Sequence, residues 1–146
     1  MATLDDTYLS ILCVGDITLT GEKLQHPMCD MFDIVALAKE EDALVIGNLE
    51  SALTERTRQA YNKCSLRASP AWGTVLHGAG FSVLSLANNH IMDYGNDGLR
   101  DTIRTLDAAG ISHVGAGKNK EDASKPLIIE HKGNSIGIIA RSSVEV

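Results

Sequence analysis

The chain has 146 residues, 44% of them hydrophobic and 22% charged, with a formal net charge of −6. Length and balance describe one globular domain with enough apolar residues for a real core. The net acidity argues against a protein that coats nucleic acid or anionic membrane, and 4% aromatic residues leave few rings for base stacking.

The first ten residues, MATLDDTYLS, carry two acids and no Lys or Arg, so they do not read as a secretory signal. No apolar stretch is long enough to span a bilayer. YLSILCVGD is expected to be a short buried strand ending at Gly15–Asp16, with Cys13 packed as a small hydrophobe. The three cysteines, Cys13, Cys29 and Cys64, show no CxxC spacing and read as reduced thiols. CDMFDIVALAKEED predicts a helix, because Met31, Ile34, Val35 and Ala38 recur at three and four. ALVIGNLE predicts a second buried strand. SALTERTRQAYNKCSLRASP is long and polar with no clear period, and reads as a loop.

PAWGTVLHGAG predicts a short helix that opens near Pro70 and closes near Gly78 or Gly80. FSVLSLA predicts a third strand, which stops at Asn88, Asn89 and His90. NDGLRDTIRTLDAAG is the clearest helix. Asn96 or Asp97 is placed to cap it, Leu99, Ile103 and Leu106 form its apolar face, and Gly110 suits its end. ISHVGAG predicts a fourth strand, and KPLIIEHKGNSIGIIA a hairpin turning at KGN.

Strands alternating with helices predict an α/β fold with a mostly parallel sheet flanked by helices. In such a sheet the C-terminal ends of the strands share one edge, where ligands bind. The expected strand ends are Gly15–Asp16, Gly47–Asn48–Leu49–Glu50, Asn88–Asn89–His90 and Gly115–Ala116–Gly117. Asp16, Glu50, Asn89 and His90 would there supply two carboxylates, an amide oxygen and an imidazole, a donor set suited to Mg²⁺, Mn²⁺, Fe or Zn²⁺. Taken singly, Gly-Asp is usually a turn, Asn-Asn is turn and cap chemistry, and a lone His is usually structural. Their joint placement on one edge favours a site.

Other motifs fail. VGAGKNK lacks the third glycine of a dinucleotide fingerprint, no GxSxG elbow occurs, and Asp97 and Asp101 read as solvated residues of one helix face. The segment 54–67 holds Arg56, Arg58, Lys63 and Arg67 against Glu55, a local reversal of sign. It reads either as a solvated loop or as an anion-binding lid over the strand edge.

GDITLTG, VIGNLESALT, LSLANNHIMDYGNDGLRDTIRTLDAAGI and VGAGKN resemble, in that order, the bacterial capsule synthesis protein CapA family. That family is associated with poly-γ-glutamate capsule production and is similar to calcineurin-like metallophosphoesterases in fold and metal motifs. The resemblance runs from about Leu9 to the end of the chain. NLE and LANNHxxDYGxxG are its specific motifs. It implies a metal-dependent hydrolase of phosphoryl or polyanionic substrates or, alternatively, a component that binds or moves poly-γ-glutamate without hydrolysing it. By position, Asp16 matches the first metal aspartate, Asn48 and Glu50 the second metal motif, and Asn89 the metal-binding Asn. His90 matches the His that protonates the leaving group, a role that needs an unliganded imidazole with a pKa near the working pH.

This sequence departs from the pattern at Thr18, where metallophosphoesterases carry His. The family also continues past the final hairpin to later histidine ligands that His113 and His131 do not match. The expectation is therefore the N-terminal part, residues 1–146, of an incomplete four-layer α/β/β/α domain, poorly active by itself. The resemblance further implies an unidentified divalent metal, an anionic polymer partner and other capsule-synthesis proteins at the membrane, and the apolar final hairpin, with an edge left unpaired, adds self-association. The family is often exported or membrane-anchored; with no signal or anchor read in this sequence, the chain is expected in the cytoplasm, or in the cell envelope if an N-terminal anchor has been removed.

Overall fold

The computed structural model describes residues 8–20, 38, 40–59 and 64–143. Four strands form one parallel sheet: β1 (Ile11–Ile17), β2 (Leu44–Leu49), β5 (Val83–Ser85) and β6 (Ser112–Val114), in that spatial order. Two short strands, β3 (Ala52–Leu53) and β4 (Arg67–Ala68), pair in parallel as a second sheet. The helices that lie wholly within the described residues are α1 (Trp72–Ala79), α2 (Gly95–Ala109) and the single turn α3 (Lys120–Ala123). β7 (Leu127–His131) and β8 (Asn134–Ile138) form an antiparallel hairpin. This is the expected α/β architecture with a mostly parallel sheet, consistent with part of a metallophosphoesterase-like fold.

The inner strands are short and apolar because both their faces are covered. Val45, Val83 and Leu84 are fully buried, and they join Leu76 of α1 and Leu106 of α2 in the core. The two helices meet closely at Gly73, where a Cβ would stand 2.7 Å from Thr105 Cγ2. Both helices end on a left-handed glycine, Gly80 (φ 109°) and Gly110 (φ 76°). The hairpin turns through Lys132 and Gly133, both left-handed, as a two-residue connection whose twist suits the strands.

β1 carries an irregularity that matters for the site. Cys13 stands opposite Ile46, but Asp16 stands opposite Asn48, so β1 has one residue more than β2 across this interval. Unbroken register would have set Asp16 against Leu49. The extra residue re-aims the strand, as bulges do. Gly47 accommodates it: a Cβ there would lie 2.6 Å from Ile17 Cδ1 and 3.1 Å from both Phe81 Cε1 and Val14 Cγ2.

Several expectations are corrected. β1 is an edge strand of the described sheet, so Cys13 is exposed rather than packed, and Ile11 is 45% exposed. α2 begins at Gly95, with Tyr94 at its N-cap and no side-chain cap bond, so Asn96 and Asp97 lie inside the first turn. The polar segment after β2 contains β3 and β4, bonded from Ala52 N–H to Leu66 O (3.2 Å) and from Thr54 N–H to Ala68 O (3.0 Å). Of the expected helix before β2, Ala38 and Glu40 are described and helical, whereas Met31, Ile34 and Val35 lie outside the described residues.

The hairpin is fastened to the turn before β2. His131 Nε2 lies 2.8 Å from Asp42 O, and Lys132 Nζ donates to Glu41 O at 3.2 Å. Ile128 and Ile139 are 58% and 63% exposed. No helix among the described residues is long and apolar enough to cross a membrane.

Gly47→Ala is expected to lower stability by about 1–3 kcal/mol, the usual cost of overpacking, read from the denaturation midpoint. An unchanged midpoint would show that the bulge tolerates a methyl group there.

Candidate functional site

The parallel order places the C-terminal ends of β1, β2, β5 and β6 on one edge. Asp16 and Asn48 are register partners at that edge, and Asn48 Nδ2 donates to Asp16 Oδ1 at 2.7 Å. Asn48 Oδ1 in turn accepts from Asn88 Nδ2 at 3.1 Å. A row of side-chain hydrogen bonds thus crosses from the edge strand to the end of β5.

Asn88 organises the turn that follows β5. It is 7% exposed. Its Nδ2 also donates to Leu49 O (2.8 Å), and its Oδ1 accepts the backbone N–H groups of His90 and Ile91, each at 3.0 Å. Those two acceptances wrap the chain tightly around the amide, as Asx turns do.

His90 is held from the far side. Its Nδ1 lies 2.8 Å from Asp93 Oδ2, and Asp93 is fully buried. The same oxygen accepts Leu66 N–H at 2.7 Å. A carboxylate oxygen engaged in this way assigns the ring proton to Nδ1, which leaves Nε2 as the working nitrogen. The His90 side chain is 17% exposed, enough to meet solvent while its rotation is restricted.

Of the residues singled out in the sequence, Asp16 and Asn48 are brought into direct contact, and His90 joins them through Asn88. Glu50 follows β2 at the same edge, half-buried, its N–H bonded to Ile17 O at 3.1 Å. Asn89 is half-buried beside Asn88. Among the described residues, no three His, Cys, Asp or Glu side chains gather closely enough to hold a metal ion. The donors at the edge are carboxylate and amide oxygens, which in kind suit a hard divalent cation. Asn88 and Asp93 were not among the selected residues. Asn88 read as turn chemistry, and the i, i+3 spacing of His90 and Asp93 was the available signal for the pair.

The cations of the following segment are differently placed. Arg56 Nε donates to Asp101 Oδ2 at 2.8 Å and its Nη1 to Asp97 Oδ2 at 3.2 Å, tying the segment to α2. Arg67 lies over the Tyr94 ring, 5.9 Å from its centroid, and 3.9 Å from Glu55. Arg58 is exposed, and Lys63 lies outside the described residues. Asp101 is not the solvated residue that its sequence suggests: its side chain is 18% exposed. Burial acts to raise its carboxyl, but donation from Thr54 (2.7 Å), Arg56 and Arg104 outweighs burial and holds it below the ordinary carboxylate range.

Comparison with known proteins matches the chain to one family. The profile of the family described as "Bacterial capsule synthesis protein PGA_cap" matches residues 10–145. The "PGA biosynthesis protein CapA" of Bacillus subtilis is 32% identical over 150 residues, covering 99% of this chain and 39% of that protein. The "Capsule biosynthesis protein CapA" of Bacillus anthracis is 39% identical over 82 residues, 53% of this chain and 20% of its own. An uncharacterized protein of Sinorhizobium fredii, y4sH, is 28% identical over 90% of this chain and 30% of its own length. The chain thus spans well under half the length of the curated relatives that it matches.

The lowered Asp101 carboxyl fixes the sign of a pH effect. Its contribution to stability is complete above the unfolded pKa, about 3.9, and is lost as pH falls through the lower folded value. Wild type should therefore exceed Asp101→Asn in melting temperature near neutrality, and the gap should close as the pH falls below the ordinary carboxylate range. A gap independent of pH would mean that the carboxylate charge contributes nothing.

Proposed function

The chain belongs to the bacterial capsule synthesis protein family PGA_cap, and from that premise we propose that its strand edge acts on an anionic phosphoryl or glutamyl substrate as a metal-assisted hydrolase. The observation that carries this reading is the His90–Asp93 pair held by Asn88 at the end of the Asp16–Asn48 row. A buried carboxylate that fixes Nδ1–H leaves Nε2 aimed for proton exchange with a leaving group, the arrangement that general acid–base catalysis requires.

Asp16, Glu50 and Asn89, with Asn48 if its amide turns its oxygen outward, would hold a hard divalent ion. When bound, such an ion polarises the scissile group and acidifies water. The remaining work falls to the chain. Asn88 fixes the backbone of His90, and Asp93 fixes its tautomer. The basic residues of the segment after β2, Arg56, Arg58, Lys63 and Arg67 in the sequence, would supply positive charge that favours an anionic chain. The partners that follow are poly-γ-glutamate and other capsule-synthesis proteins at the cell envelope. Self-association through the exposed hairpin isoleucines is the accompanying expectation.

A second reading has its own support. It is a component that holds poly-γ-glutamate without cutting it, supported by the printed names of the relatives, which speak of PGA and capsule biosynthesis.

The test is turnover of a generic phosphomonoester and of poly-γ-glutamate with Mn²⁺ or Zn²⁺ added. The hydrolase reading expects metal-dependent turnover that falls about a hundredfold or more in His90→Ala. It also expects loss of turnover in Asp16→Asn, and an altered pH–rate profile in Asp93→Asn. Polymer binding without turnover under any metal would overturn it in favour of the second reading.

A further inference from the structure

A cavity of about 340 Å³ opens between α2 and the loop that leaves β6, lined by Asn96, Leu99, Arg100, Ile103, Gly117 and Lys118. Its size lies within the ordinary range for small-molecule pockets, roughly 300–1,000 Å³. Four of these residues stand at i, i+3, i+4 and i+7 and form one stripe along α2. Leu99 is 8% exposed and Ile103 half-buried, whereas Asn96 and Arg100 are exposed, so an apolar floor carries a polar rim. The facing wall, Gly117–Lys118, follows the C-terminal end of β6, and α2 starts just after the turn that holds His90 and Asp93. The cavity therefore opens on the same edge as the candidate site. Its wall is firmly placed, because a Cβ on Gly115 would stand 2.6 Å from Ala87 Cβ and 3.0 Å from Ala140 Cβ.

The charge around it departs from that of the chain. The lining itself holds two cations, Arg100 and Lys118, and no acid, in a chain whose net charge is −6. Arg100 reaches Asp97 at 3.4 Å, with the two side chains 69% and 56% exposed. An exposed pair of this kind is weakly held, so its guanidinium can turn to a ligand carboxylate, which it can bind through two parallel hydrogen bonds. Floor, rim and charge together describe a short hydrocarbon stem ending in a carboxylate.

We propose that this cavity is a subsite for an aliphatic carboxylate, with the stem against Leu99 and Ile103 and the carboxylate between Arg100 and Lys118 beside the Asn96 amide. It deepens the function proposed above and rests on it for one point only: within that reading, the ligand is a glutamyl side group of the anionic chain. A second cavity, of about 380 Å³, provides the internal control. It is lined by Asp42, His77 and His131 among others, has no Lys or Arg in its lining, and opens where β2 and β6 begin, at the opposite edge.

The experiment is an amide NMR titration of the 146-residue chain with glutarate, using pentane-1,5-diol and pentane-1,5-diamine as uncharged and cationic counterparts. Glutarate should shift Asn96, Arg100, Gly117 and Lys118 to saturation, leave Asp42, His77 and His131 unmoved, and not be matched by the diol or the diamine. Arg100→Ala with Lys118→Ala should weaken it at least about tenfold, and Arg100→Lys with Lys118→Arg should retain most of the affinity. Arg100 is an exposed helical residue and alanine is a strong helix former, so far-UV circular dichroism should be unchanged. Glutarate shifts centred elsewhere, or equal affinity in the double alanine variant, would overturn the proposal. A parallel titration with poly-γ-glutamate separates the two readings. Polymer binding that leaves the cavity amides unmoved defeats the subsite and spares the function. Glutarate saturation of the cavity without polymer binding supports the subsite and defeats the glutamyl reading.

Discussion

One buried amide sets the geometry of the strand edge. Asn88 donates twice, to Asn48 Oδ1 and Leu49 O, and accepts twice, from His90 and Ile91 N–H, so its hydrogen-bonding capacity is filled. A buried polar group left without partners costs about 1–3 kcal/mol, so each of the four bonds restrains the others. The amide that follows β5 takes the N–H of His90, two residues on, and so sets the direction of the chain there. A plain turn would reverse the chain without specifying where the imidazole goes.

Around that amide, the side chains of the strand edge hold one another in place. The bulge in β1 carries Asp16 to Asn48, and Gly47 makes room for it. Asp93 holds the ring of His90 and also takes Leu66 N–H, so the returning limb of the polar segment and the imidazole share one oxygen. Arg56 is committed to α2 through Asp97 and Asp101, which anchors the outgoing limb of that segment. Such support leaves these side chains little rotational freedom.

The parts of this arrangement that were legible in the sequence are local. Apolar runs of strand length, the i, i+3, i+4 pattern of α2, the glycines at 80 and 110 and the KGN turn all act within a few residues of themselves, and the fold class followed from them. The parts that were not legible depend on partners far away. The bulge exists only in the pairing of β1 with β2, and nothing in ILCVGDI marks it. Asp101 reads as a surface acid until Thr54 and Arg56, more than forty residues earlier in the chain, arrive beside it. Cys13 looks buried because its neighbours are apolar, yet it stands on an edge strand. Asn96 and Asp97 are sound capping residues by type, but the chain enters α2 two residues sooner, at Gly95. α3 is too short to display any period.

The clasp between the hairpin and the turn before β2 has a consequence for the order of assembly. β1, β2, β5 and β6 lie side by side in the order in which they occur in the chain, so the sheet can grow by adding each strand to its predecessor. The bond from His131 to Asp42 instead spans 89 residues, and that from Lys132 to Glu41 spans 91. Loop-closure entropy rises with the logarithm of the span, and contacts of this range come late unless the intervening chain is already folded. The hairpin is thus the piece that docks last. Its twist and turn form from local residues alone, but the carbonyl groups that receive it take their places only once the lead-in to β2 has folded.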